Sequence, residues 1–234
     1  MNIGGVRLDS SVPKIAGILH DLIPESSLSA LRRKGADIVE ARIDLFHSRE
    51  IESILNSLKR IKRIVDLPMI GTIRRPEDGG RKIIPDRYRL EIFKAIIPVL
   101  DCVDIEVDSS IISEIIDLSK RRKKRVIVSY HNFRETPSDQ QLVRLIRKGK
   151  ERGGDIIKLT VMSRGRDDTV RLLTLTSQYK AYHLITISMG KAGQISRLIA
   201  PFFGSLLTYG YIDSPLVPGQ LSIEELRKGL NLLF

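Results

Sequence analysis

The chain has 234 residues, 42% of them hydrophobic and 29% charged, with 39 Lys and Arg against 28 Asp and Glu and a net charge of +11. That balance suits a globular protein with a sizeable core and excludes a collagen-like or disordered chain. The single cysteine, Cys102, excludes an internal disulfide and any Cys-based zinc or iron–sulfur cluster. The N-terminal MNIGGVRLDS lacks an apolar signal core, and no apolar run reaches the ~18 residues of a membrane span. The cytoplasm is therefore the expected location, with no membrane partner. The positive charge has two readings. One is a nucleic-acid surface that neutralises phosphates. The other is solvated helix ends around a site for a small anion. The longest basic run, residues 120–125, reads as a helix end running into a strand, where cations are favourable. No aromatic residues interleave with it, so no nucleic-acid partner is expected.

Eight β-like runs alternate with amphipathic stretches. The first strand is read at 14–19, followed by a short helix at 26–35 that Gly35 is placed to stop. The second strand covers 37–44. A helix follows at 48–65, with Ile51, Ile54, Leu55, Leu58, Ile61 and Val65 on one face. The remaining strands are read at 69–74, 102–107, 125–130, 155–161, 183–188 and 204–209, the last with the weakest pattern. Helices are read between and after them at 86–100, 110–122, 138–152, 167–178, 191–203 and 222–233. Eight strands, each followed by a helix, read as an α/β protein, a parallel eight-stranded (β/α)8 TIM barrel with outer helices. The strands are mostly continuous apolar runs, as expected where both faces are buried. No linker divides the chain, so residues 1–234 read as one domain, with 1–13 a short extension before the barrel. An open doubly wound sheet competes, but no glycine-rich phosphate loop follows the first strand.

Active-site groups of such barrels lie at the C-terminal ends of the strands, so charged residues there stand out. Glu40, Arg42 and Asp44 alternate with Val39, Ala41 and Ile43, which puts all three on one face of the second strand. They form either a structural ion-pair lattice or a site. Arg74 ends the third strand and has a fork suited to a carboxylate or to hydroxyl oxygens. Asp78, before Gly79 and Gly80, reads as a turn residue or an acid at the mouth. His131 ends the fifth strand and has the side chain best suited to acid–base work near neutral pH. Lys158 lies amid apolar residues of the sixth strand. A buried amine with Arg42, Arg74 and Arg197 as cationic neighbours would be a nucleophile toward a carbonyl; the alternative is a lysine snorkelling from a strand end. Arg197 follows a glycine-containing turn and reads as a carboxylate ligand or a solvent-facing residue. The loop 214–220 reads as a lid or a connector. The histidines have no metal-ligand spacing, so no metal is expected.

Together, VEARID, GTIRRPEDGG, VSYHNF, DIIKLTVM, ISMGKAGQISR, FGSLLTYG and PGQLS resemble the type I 3-dehydroquinate dehydratases of the shikimate pathway. The likeness runs from about Lys14 to the C-terminus. It implies a usually dimeric (β/α)8 barrel, so a homodimer is expected, and no cofactor. The implied substrate is the small molecule 3-dehydroquinate, which loses water by syn elimination through an imine to give 3-dehydroshikimate. By resemblance, Lys158 is the Schiff-base lysine and His131 the catalytic histidine. Glu40, Arg42 and Arg74 contact substrate hydroxyls and support the site. Arg197 and Gln220 hold the substrate carboxylate and close the lid, and Met189 and Phe133 are apolar walls. Many members carry Glu where this chain has Asp78, with Glu77 one position earlier, so the residue that orients His131 is Asp78 or Glu77. The lid reads Leu216-Val217-Pro218-Gly219-Gln220 where the family usually has Ser-Ala-Pro-Gly-Gln, so a lid serine contact comes from Ser214 or is absent. The segment before the barrel is shorter than in longer members, which leaves a plug at the barrel base unassigned. A Schiff-base aldolase on the same barrel would share Lys158, but no phosphate loop is evident after the seventh and eighth strands.

Overall fold

The computed structural model describes residues 1–9 and 12–234. Two residues of the expected 1–13 extension, Ser10 and Ser11, lie outside that range. The extension begins as a hairpin, β1 (Asn2–Ile3) and β2 (Val6–Arg7), paired antiparallel. Gly4 and Gly5 turn it with φ of 53° and 91°, the positive values that a two-residue hairpin turn requires.

The barrel strands are β3 (Ile15–Leu19), β4 (Ile38–Arg42), β5 (Met69–Thr72), β6 (Cys102–Glu106), β7 (Arg125–Asn132), β8 (Ile156–Met162), β9 (Leu184–Met189) and β10 (Thr208–Tyr211). They form one parallel sheet in the order β10-β3-β4-β5-β6-β7-β8-β9, a nearly closed TIM barrel. Its seam is bridged irregularly. Leu206 N–H donates to the Leu184 carbonyl (2.8 Å), and Thr186 N–H donates to Ser205 Oγ (3.1 Å). This is why the last strand begins at Thr208 and not at the expected 204: residues 205–207 run along β9 with a side chain replacing a ladder carbonyl.

The helices are α1 (Glu25–Ser29), α2 (Leu31–Lys34), α3 (Ile51–Val65), α4 (Asp86–Ile96), α5 (Ile112–Arg121), α6 (Asp139–Glu151), α7 (Arg166–Gln178), α8 (Ser196–Ile199) and α9 (Ile223–Leu233). On α3 the buried residues are Ile54, Leu58, Ile61 and Val65, the inner part of the predicted stripe. Capping boxes start α6 (Ser138 with Gln141) and α9 (Ser222 with Glu225). The helix expected over 191–203 is reduced to α8 and one 3-10 turn over Ala200–Phe203. Gly190 has φ of 81°, and a Cβ on Gly193 would lie 2.5 Å from the Ser188 carbonyl, so this segment is a tight turn against β9. The basic run sits where it was expected, at the end of α5 and the start of β7.

Two apolar layers hold the fold. One lies between helices and sheet, from Leu28 and Ile54 round to Leu226 and Leu230. The other fills the barrel interior, where Ile38, Ile70, Cys102, Ile127, Ile156 and Ile185 pack with Ile3 and Leu8 of the N-terminal segment. That segment plugs the barrel base despite its brevity. Burying these branched side chains excludes water from one end, so polar groups inside the barrel face the other end.

Candidate active site

The register of β6, β7, β8 and β9 aligns Glu106 with Ser129, Ser129 with Lys158, and Lys158 with Ile185. Because side chains alternate along a strand, this row carries its polar groups into the barrel above the apolar plug. Glu40 and Thr72 enter from β4 and β5, and Thr72 Oγ1 donates to Glu40 Oε1 (2.7 Å). A cleft opens over them, lined by Glu40, Arg42, Arg74, His131, Lys158 and Arg197 among others. Asp78, Gln220, Met189 and Phe133 also line it, whereas Asp44, Glu77 and Ser214 do not.

Lys158 is only 4% exposed, so it does not snorkel to solvent. Its Nζ lies 3.1 Å from Asp104 Oδ2, 3.4 Å from Glu40 Oε1 and 4.1 Å from the centre of the Tyr209 ring. This corrects one expectation. The groups that touch the amine are carboxylates, not the arginines, each of which is engaged elsewhere. Arg42 forks onto Asp44 (2.8 and 2.7 Å). Arg74 donates to Asp104 (2.7 Å), Glu106 (3.1 Å) and Ser129 Oγ (2.8 Å). Burial opposes the Arg74 charge, but Asp104, Glu106 and Glu40 outweigh it and raise its pKa. Burial likewise works against ionised Asp104, and Arg74, Lys158 and His131 overcome it, holding the carboxyl below its usual range.

His131 is held well below its ordinary pKa by burial first, then by Arg74 and Lys158. The imidazole is thus neutral at physiological pH, the form that can take a proton. Its Nδ1 is buried without a partner among the described residues, and the ring stacks on Phe133 at 6.3 Å between centroids. The Asp78 carboxylate accepts from Arg75 Nε and Nη2 (2.9 and 2.6 Å), and among the described residues no hydrogen bond joins it to His131. Burial raises the Asp78 pKa and Arg75 opposes the rise. Glu77 also faces Arg75 (3.4 Å). The glycines after Asp78 are a steric requirement. Gly79 has φ of 88°, and a Cβ there would come within 2.4 Å of the Phe133 ring.

Arg197 is buried with its Nε on the Gly219 carbonyl (2.8 Å) and Nη1 on the Tyr209 carbonyl (3.3 Å), while Nη2 has no partner among the described residues. Burial pushes its pKa down to about 10. A guanidinium buried with an open N–H is a ready anion ligand. Gln220 Oε1 accepts from Leu216 N–H (2.8 Å), which folds the lid loop on itself. Ser214 is exposed, and among the described residues the lid wall of the cleft is Leu216 and Val217.

Asp104, Glu106, Arg89 and Tyr209 are buried polar groups that the sequence does not single out. Asp104 and Glu106 nonetheless alternate with Val103 and Ile105, the same signal that exposed Glu40 and Arg42. Among the described residues no group of His, Cys, Asp and Glu could hold a metal ion, and no helix is long and apolar enough to cross a membrane.

A buried lysine, a histidine with a buried Nδ1 and a buried arginine with an open N–H thus line one cleft. Comparison with known proteins decides the family: residues 24–234 match the family model for type I 3-dehydroquinase. The chain belongs to that family. It is 37% identical to the 3-dehydroquinate dehydratase of Thermodesulfovibrio yellowstonii over 220 residues, covering 92% of this chain and 93% of the relative. To that of Methanocella arvoryzae it is 39% identical over 202 residues, covering 85% and 88%. A crystal structure of type I 3-dehydroquinate dehydratase from Clostridium difficile, with covalent modified comenic acid, superposes with a TM-score of 0.93 at 30% identity, covering 100% of this chain and 97% of the other. The Aquifex aeolicus structure gives 0.85 at 35% identity, covering 94% and 99%. As a type I 3-dehydroquinase the chain is an enzyme of the hydro-lyase class.

Proposed function

We propose that this chain dehydrates 3-dehydroquinate to 3-dehydroshikimate, in the shikimate pathway, through an imine on Lys158. The observation that carries the reading is the burial of Lys158 Nζ in the same cleft as a neutral His131. Nζ adds to the ring ketone at C3, and the carbinolamine loses water to give a protonated imine. His131 removes a proton at C2, and the electron pair moves into the imine, which stabilises it better than a ketone would. The enamine then expels the C1 hydroxyl, which leaves as water with a proton from His131. One imidazole serves both steps only if both groups lie on one face, so the loss is syn. Hydrolysis of the imine frees Lys158.

Before it attacks, Lys158 must give up a proton. Neutral His131 lines the same cleft and can accept it, while Asp104 and Glu40, within hydrogen-bond reach of Nζ, favour the ammonium. Arg197 Nη2 binds the substrate carboxylate. Glu40, Arg42, Arg74 and Gln220 meet the ring hydroxyls or brace the groups that do, and Met189 and Phe133 close the apolar sides. Holding the ring this way supplies the orientation that such eliminations need. No cofactor enters the reaction. The family resemblance supports a homodimer working in the cytoplasm. The test is the ultraviolet absorbance of the conjugated enone when purified protein meets 3-dehydroquinate without added metal. Absorbance should rise with the wild type and not with Lys158→Ala; a rise of equal rate in both refutes the assignment.

A further inference from the structure

The mechanism above gives no role to the buried charges of Asp44, Glu106 and Arg89. Arg89, on α4, is 1% exposed and stands outside the cleft. Its Nη2 donates to Glu106 Oε2 (2.6 Å) and to the Ile73 carbonyl (2.8 Å), and its Nη1 to Asp86 (2.7 Å). Burying a guanidinium is costly, and α4 could pack an apolar residue here at lower cost. The bond lengths indicate what the charge does. Glu106 lies between two main guanidiniums and is closer to Arg89 (2.6 Å) than to Arg74 (3.1 Å). Arg74 in turn is closer to Asp104 (2.7 Å) than to Glu106. Asp104 Oδ1 also accepts from Ser129 Oγ (2.7 Å), which leaves Oδ2 at 3.1 Å from Lys158. The charges form a chain with alternating sign, from α4 through the strands to the amine.

We propose that Arg89 is a positioning residue that, through Glu106, Arg74 and Asp104, sets how readily Lys158 gives up its proton. The inference rests on the reading of Lys158 as the imine-forming amine. By holding Glu106, Arg89 leaves Arg74 to Asp104, and an Asp104 engaged by Arg74 grips the Lys158 ammonium less tightly. Without Arg89, Glu106 draws Arg74 away, and Asp104 and Glu40 hold the proton on Lys158. The other charged and titratable groups around the chain are fixed by their own partners or face the cleft. Arg75 meets Glu106 (3.8 Å) but is forked onto Asp78, and Arg42 is forked onto Asp44. Asp86 accepts from Ser110 as well as from Arg89. His131, Arg197 and Tyr209 line the cleft beside Lys158. The upward shift of Arg74 and the downward shift of Asp104 agree with this division of charge.

The test follows imine formation against pH by borohydride trapping with 3-dehydroquinate, with the adduct on Lys158 read by mass. Arg89→Met should move the acid limb of the trapping rate up by about 0.5–1 pH unit, and Glu106→Gln should move it down by a similar amount. The double variant Arg89→Met/Glu106→Gln, which removes one charge of each sign, should return the limb to within about 0.3 unit of wild type. A purely structural Arg89 would lower the rate by the same factor at every pH, and limbs that stay in place in all three variants overturn the proposal. If Arg89→Met does not fold, Glu106→Gln decides, and an unmoved limb there also overturns it. A wild type that gives no adduct at any pH refutes the imine reading itself, a result distinct from an adduct with unmoved limbs.

Discussion

Replacing Arg197 by methionine separates binding from folding. The guanidinium is buried, with two of its three nitrogens on main-chain carbonyls and Nη2 unpartnered among the described residues. No carboxylate among them pairs with it, and burial has lowered its pKa to about 10. An apolar side chain of similar size removes the buried charge but leaves the Gly219 and Tyr209 carbonyls without their donors, so the empty fold should lose only about 1–3 kcal/mol. The complex is different. Charge-assisted hydrogen bonds are worth about 1.5–3 kcal/mol each, and one or two are lost with the substrate carboxylate. Taking a loss of about 2–4 kcal/mol at about 1.4 kcal/mol per tenfold, kcat/KM falls by roughly 30- to 1000-fold. Most of the fall belongs in KM, because the carboxylate keeps its charge throughout the reaction and the lost contact is made equally in the ground and transition states. Steady-state kinetics with 3-dehydroquinate, paired with thermal melts of the free protein, checks both halves. A variant within about threefold of wild type in kcat/KM would refute Arg197 as the carboxylate ligand. A collapsed melting temperature would refute the claim that its charge is uncompensated.

Three other perturbations follow from the same geometry. His131 has its folded pKa depressed by burial, Arg74 and Lys158, so its contribution to stability is present above the unfolded value near 6.5 and is lost as pH falls toward the folded value. His131→Leu should therefore lose less melting temperature than wild type between pH 7 and pH 5, while its turnover drops about 10²–10⁴-fold; equal pH slopes would contradict the buried neutral imidazole. Gly79→Ala forces a Cβ into the Phe133 ring at a positive φ, so kcat should fall through displacement of Phe133 and the stacked His131, with a stability loss of about 1 kcal/mol or more. Unchanged kcat in that variant would mean the ring pair does not shape the site. Ile3→Ala empties the base of the barrel and should cost about 2–5 kcal/mol, or about 2–4 °C of melting temperature per kcal/mol; an unchanged melting curve would show that the N-terminal hairpin is dispensable packing.

The strands were legible because burial on both faces writes continuous runs of Val, Ile and Leu, and the site was legible where ionisable residues interrupt those runs, as at Glu40, Arg42 and Lys158. Asp104 and Glu106 carried the same signal and could have been read. Arg89 could not, because in DRYRLEIFK it looks like any polar residue of an outer helix, and only tertiary packing against Glu106 reveals its burial. The charge around Lys158 was misjudged for a related reason. Sequence spacing shows which arginines lie near a strand end, but not which carboxylates claim them first. Asp78 was placed correctly at the mouth, yet its partner, Arg75, lies three residues away in the same turn. The seam at β10 and the shortened α8 depended on close backbone approaches that propensity does not encode.

The central claim is covalent chemistry at one nitrogen. Incubating the protein with 3-dehydroquinate and borohydride, then mapping the mass gain by peptide sequencing, addresses it directly. A single substrate-dependent adduct on Lys158, absent from Lys158→Ala, is the expected result. Full turnover with no trapped adduct, or an adduct on another lysine, would contradict the account.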